Sequence, residues 1–263
     1  MTWDQVSRHV LDDHAPTIRR FLTDQGIQTN EVQRCWMLLP CFLEVARRAG
    51  AETLDLVELG PSAGLNLLWD RYRYRYEAGS WGAGNALLEL AGEERGRVPA
   101  ELLALRPRVR SRTGIDVAPI DVRTDEGARL LKSFVWPDQE WRLRRLDEAI
   151  AAVRDDPPDL LRADVVTELP RVLAAAREDA LTLVWHTAVL GYLSREERGR
   201  VYAALEEAGE RIPLAFVQTT TPSEARENAG TYYGLAVRVW PGPGREQVAA
   251  ADFHGAWLDW RPP

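Results

Sequence analysis

Four residues stand where an apolar run gives way to a turn: Glu58 in "DLVELG", Asp116 in "TGID", Asp164 in "LLRAD" and His186 in "LTLVWH". A carboxylate in such a place can accept hydrogen bonds from a hydroxyl-bearing or cationic ligand. A histidine titrates near neutral pH and can take a proton from a hydroxyl, carboxyl or amine. His186 is therefore the candidate catalytic base. Each residue also has an ordinary explanation: a helix cap for the acids, a hydrogen bond at the sheet edge for the histidine. The set gains meaning if the acids close successive strands, because ligands of an open α/β sheet lie beyond the carboxyl ends of its strands.

Those strand ends need a sheet to belong to. From residue 51 short apolar runs alternate with helical ones, which predicts a parallel sheet with helices on both faces. "TLDLVELG", "SRTGIDVAPIDV", "PDLLRAD", "LTLVWH" and "PLAFVQTT" read as strands, with "SREERGRVYAALEEAGE" a helix capped by Ser194. "YYGLAVRVWPG" and "AADFHGAWLDWRP" predict an antiparallel pair at the C-terminal edge. Residues 1–50 read as an N-terminal helical addition: one helix stopping at Gly26, then one capped by Thr29 or Asn30, kinked at Pro40 and ended by Gly50. Residues 51–263 form the main domain, with a β insertion at about 71–110. There "RYRYRY" alternates with period two, tyrosines on one face and arginines on the other. It predicts either a half-buried edge strand with a charged outer face or a lid whose tyrosines stack on a ligand.

The turn after the first strand is framed by Gly60 and Gly64. It lacks the Gly-Lys-Ser/Thr of a phosphate loop, and the chain has a single lysine, Lys132. It matches the dinucleotide fingerprint poorly and is not a hydrolase elbow. Glu58-Leu59-Gly60-Pro61-Ser62-Ala63-Gly64 resembles the first motif of the class I S-adenosylmethionine-dependent methyltransferases, E/D-x-G-x-G-x-G, with Ser62 replacing the middle glycine. The resemblance implies that Glu58, Gly60, Ser62 and Gly64 hold S-adenosylmethionine, that Asp116 binds the ribose hydroxyls and that Asp164 meets the adenine amine. The whole chain is also similar to a bacterial family of unknown function, through "QTNEV", "LVELGPSAGLNLLWDRYRYRY", "GIDVAPIDV", "VWPDQ" and "VWHTAVLGYL". Together these imply a Rossmann-like methyltransferase fold and methyl transfer to a small-molecule acceptor. Two alternatives stay open: a non-methylating enzyme on the same scaffold, using a histidine base for elimination or ring closure, and a non-catalytic partner or assembly protein.

If the helical addition folds over the strand ends, Gln28, Asn30 and Glu31 line the acceptor site, with Trp136, Trp185 and Tyr233 as further substrate contacts. No metal site is expected, since the histidines are scattered and the two cysteines, Cys35 and Cys41, lack ligand spacing. A net charge of -7 argues against a nucleic-acid surface. No apolar run is long enough for a membrane span, and the N-terminus lacks a signal-peptide core, so a cytoplasmic protein is expected. A protein partner or homodimer stays open.

Overall fold

A computed structural model describes residues 2–24, 30–220 and 232–262. It begins with helices α1 (Trp3–Arg8) and α2 (Ala15–Asp24), joined by a π-helical turn, and continues with α3 (Arg34–Ala49). Strand β1 (Thr53–Leu59) leads into a 3-10 helix (Leu65–Arg71), then β2 (Arg73–Tyr76), β3 (Gly79–Trp81), β4 (Glu89–Ala91), β5 (Glu93–Gly96) and the short α4 (Ala100–Leu103). The α/β alternation resumes with β6 (Arg108–Asp116), α5 (Asp125–Ser133), α6 (Glu140–Asp155), β7 (Asp159–Arg162), α7 (Val165–Ala174), β8 (Leu181–His186), a 3-10 turn (Val189–Tyr192), α8 (Arg195–Gly209) and β9 (Leu214–Thr220). Three strands close the chain: β10 (Tyr232–Trp240), β11 (Glu246–Asp252) and β12 (Trp257–Trp260).

The main sheet runs β5-β12-β11-β10-β9-β8-β1-β6-β7. Strands β7, β6, β1, β8 and β9 are parallel neighbours. Strands β9 to β12 form an antiparallel meander, and β5 from the insertion pairs parallel with β12 at the edge. The expected α/β class and antiparallel C-terminal region are both present. Strand alternation divides the core in two. Leu54, Leu56, Leu183 and Trp185 face α3, α5 and α6, while Val57, Leu59, Val184 and Phe216 face α7 and α8. Among the described residues no helix is long and apolar enough to cross a membrane.

The expected boundary near residue 50 is not a boundary in the packing. Every residue from Cys35 to Ala46 is buried in the core, so α3 belongs to the main domain. A helix apolar on all sides must be covered on all sides; the sheet lies beneath it and the 3-10 helix and β insertion pack on the rest.

That arrangement accounts for the Arg-Tyr repeat. Tyr72, Tyr74 and Tyr76 are buried, and each hydroxyl donates to a backbone carbonyl: Leu65 O at 2.7 Å, Trp69 O at 2.7 Å and Trp36 O at 2.5 Å. The last bond has a specific cause. Pro40 lies inside α3 and has no N–H for the carbonyl four residues back, which is that of Trp36. The Tyr76 hydroxyl satisfies it, and its ring stacks on Trp36. On the outer face Arg71 pairs with Asp156, and Arg73 and Arg75 with Glu89. The strand therefore braces the core and is no lid: none of its tyrosines lines the cavity described below. Tyr76→Phe should destabilise the protein by about 1–2 kcal/mol, the loss expected when a buried carbonyl is left unpaired. A denaturant midpoint equal to that of the wild type would refute this role for the hydroxyl.

Candidate active site

Strand order reverses between β1 and β8. From β1 the chain moves outward to β6 and β7, and from β8 it moves the other way to β9. The loops leaving β1 and β8 therefore diverge and leave a crevice at their carboxyl ends. Leu59 and His186, the last residues of these strands, are register partners.

Beyond β1 the backbone curls through three left-handed residues, Gly60 (φ 71°), Ser62 (φ 54°) and Gly64 (φ 74°). A Cβ on Gly60 would come within 2.7 Å of Val189 Cβ, so this glycine admits the loop after β8 as well as allowing the turn. Ser62 is held by the neighbouring strand: its N–H donates to Asp116 Oδ2 at 2.9 Å, and Ala118 N–H donates to Asp116 Oδ1 at 2.8 Å. Asn30 Nδ2 donates to Pro61 O at 3.1 Å from the other side. Asn30 thus fastens the turn instead of capping α3, whose N-cap is Gln33.

The crevice encloses a cavity of about 400 Å³, within the range that takes a small ligand. Glu58, Asn66 and the Gly60–Ser62 turn line it, with Asp116 on the β6 side. Arg34, Thr187, Tyr233 and His254 line the β8 side, and the exposed Tyr192 also borders it. Glu58 is 1% exposed. Asn66 Nδ2 donates to its Oε1 at 3.5 Å, while Oε2 accepts no hydrogen bond among the described residues. Burial pushes the Glu58 carboxyl up to about 8; Asn66 and the Arg34 charge oppose that shift, and Asp116 adds to it.

The family described as "Uncharacterized protein conserved in bacteria (DUF2332)" matches residues 1–260. The chain belongs to that family. No curated protein matches this family member. A solved structure similar to it is described as an S-adenosylmethionine-dependent methyltransferase from Clostridium acetobutylicum ATCC 824; the two are 11% identical with a TM-score of 0.33, over 89% of this chain and 77% of that one. A likeness at that level adds nothing to the topology already described.

Of the residues singled out in the sequence of this family member, the fold brings Asn30, Glu58, Gly60, Ser62, Asp116 and Tyr233 to one cavity. Others go elsewhere. Asp164 is exposed and caps α7, accepting from Val166 N and Thr167 N, so the adenine contact has no support in its position. Gly64 faces the Pro158 and Leu160 side chains, away from the cavity lining. Glu31 is buried and paired with Arg142 at 2.7 Å, fastening α6 to the start of α3. Trp136 is 70% exposed and outside the cavity wall. Trp185 is core, packed on Phe42 with ring centroids 5.1 Å apart. Gln28 lies outside the described residues.

His186 requires the largest correction. It follows Trp185, so strand alternation turns it to the opposite face from Glu58, against Phe216 under α8. Its Nδ1 accepts from Ala188 N at 3.3 Å, and its Nε2 has no partner among the described residues. Burial alone lowers it to about 3, so it is neutral at physiological pH, and it does not line the cavity. Sequence reasoning also passed over Arg34, Asn66 and His254. The first two carried a signal, as polar residues inside the apolar runs "QRCWMLL" and "GLNLLW".

Proposed function

We propose that this family member binds S-adenosylmethionine in the switch-point cavity and methylates a small-molecule acceptor. One observation carries the reading: at the reversal of strand order, a ligand-sized cavity is bordered by the Gly60–Ser62 turn and by Asp116 at the end of β6. The cofactor, when bound, supplies an electrophilic methyl group on a sulfonium. The chain's own contribution is placement, which can account for much of the rate of such a transfer. Asp116 is immobilised by two backbone amides, and each of its oxygens keeps a further lone pair for a ribose hydroxyl. Glu58 offers a carboxyl that a neighbouring cation would ionise. His186 has no role in this scheme.

Calorimetric titration with S-adenosylmethionine, S-adenosylhomocysteine and NAD tests the reading. Micromolar binding of the first two, with no NAD binding and at least about tenfold loss in Asp116→Asn, is expected. Absence of binding to the folded protein would overturn it. The raised Glu58 carboxyl favours one second reading, a non-methylating enzyme in which Glu58, in place of a histidine, transfers the proton. Turnover that needs no S-adenosylmethionine and disappears in Glu58→Gln would support that alternative.

A further inference from the structure

The β8 side of the cavity holds a buried positive charge that has no counter-ion among the described residues. Arg34 is 8% exposed. Its Nε donates to Phe253 O at 2.9 Å, and its Nη1 to Thr187 O and Oγ1 at 3.3 and 3.4 Å. Among the described residues no carboxylate forms an ion pair with it. The acids around it are otherwise engaged. Glu31 is paired with Arg142 and Arg145. Asp252 Oδ1 accepts from the backbone amides of His254 and Ala256. Both oxygens of Asp116 accept from Ser62 N and Ala118 N. The Arg34 charge acts on Glu58, yet burial keeps that carboxyl protonated up to about pH 8. A buried cation whose partners are neutral oxygens carries a large desolvation cost that an anion would offset.

Two more donors meet at the same wall. Tyr233 is 6% exposed, and its hydroxyl makes no hydrogen bond among the described residues. The His254 ring makes none either. Both line the cavity beside Arg34, close enough for its charge to act on each of them.

The geometry points to a carboxylate-binding subsite formed by the Arg34 guanidinium, the Tyr233 hydroxyl and the His254 ring. One cation and two neutral donors match a single negative charge shared by two oxygens. A phosphate monoester would bring nearly two charges into a cavity whose opposite side holds Asp116. The carboxylate can belong to the aminoacyl end of S-adenosylmethionine, a source that rests on the methyl-transfer reading, or to the acceptor, which does not.

The test compares wild type, Arg34→Met and Tyr233→Phe by calorimetry. The probes are S-adenosylmethionine against 5′-methylthioadenosine, which lacks the aminoacyl end, and benzoate against benzamide. Wild type should prefer the acid in at least one pair by about tenfold or more, and both variants should lose that preference. Preference in the first pair assigns the carboxylate to the cofactor; preference in the second assigns it to the acceptor. Benzoate binding without S-adenosylmethionine binding removes the methyl-transfer reading and leaves the subsite standing. Tyr233→Phe keeps the ring packed on Phe253, so it reports even if Arg34→Met does not fold. Equal binding of acid and neutral probe in both pairs by wild type, or variants as selective as wild type, would overturn the inference.

Discussion

Glu58→Gln should stabilise the ligand-free protein at pH 8 by an amount of the order of 5 kcal/mol, and leave it nearly unchanged at pH 4. In the unfolded chain the carboxyl gives up its proton near its ordinary value of 4.5, whereas in the folded protein it keeps the proton up to about 8. Between these values the folded state binds more protons than the unfolded state. Stability therefore falls as pH rises, by up to about 1.4 kcal/mol per pH unit. Glutamine has the shape of the protonated acid and cannot ionise, so the variant avoids the whole decline. Against a total stability of about 5–15 kcal/mol the effect is large. A residue that weakens its own fold at neutral pH is what a ligand site would hold, and the same substitution should weaken binding of a cationic ligand. Urea unfolding of both proteins from pH 4 to 9 decides it; parallel curves would remove the argument for Glu58.

His186 should produce the opposite limb. Its ring titrates at about 3 in the folded protein and near 6.5 when unfolded. Between those values the unfolded state takes up a proton that the folded state refuses. Stability is therefore lost as pH falls, again by up to about 1.4 kcal/mol per unit and of the order of 5 kcal/mol in all. The two slopes cancel where they overlap, between the unfolded value of Glu58 at 4.5 and that of His186 at 6.5. Wild type should show a plateau there, with a decline on each side. His186→Asn can place an acceptor oxygen where Nδ1 takes the Ala188 N–H, and should reduce the acid decline, to which Glu44, Asp55, Asp121 and Asp179 also contribute, while leaving the alkaline one. If the acid decline of His186→Asn equals that of the wild type, the buried ring does not govern acid stability.

The sheet was legible because each central strand is a compact apolar run closed by a polar residue or glycine, and "DLVELG" and "TGID" placed Glu58 and Asp116 correctly at strand ends. The face of a side chain was not legible in the same way. In "LTLVWH" every residue is buried, so no alternation of polarity marks which of Trp185 and His186 looks toward the crevice and which toward α8. Asp164 illustrates a competing use: an acid before "VVTELP" satisfies free helix amides, and that local role prevailed. The continuous packing across residue 50 has a tertiary origin. The apolar residues of α3 do not say what covers them, and the cover is the Arg-Tyr strand together with the sheet. The β8 side of the cavity joins Arg34 to Phe253 and His254, a separation over which local patterning carries no information.

That last separation also orders events during synthesis. Arg34 emerges from the ribosome more than two hundred residues before the Phe253 carbonyl that orients it, and β5 waits for β12, whose Trp257 pairs with Glu93. Long loops must close before either contact can form. A nascent chain can thus assemble β1, β6 and β7 early, with the Gly60 turn and Asp116 already joined, while the Arg34 wall is still open. Ribosome-bound intermediates stalled before residue 252 should therefore resist proteolysis through the parallel strands yet leave α3 incompletely covered, a species for chaperones to shield.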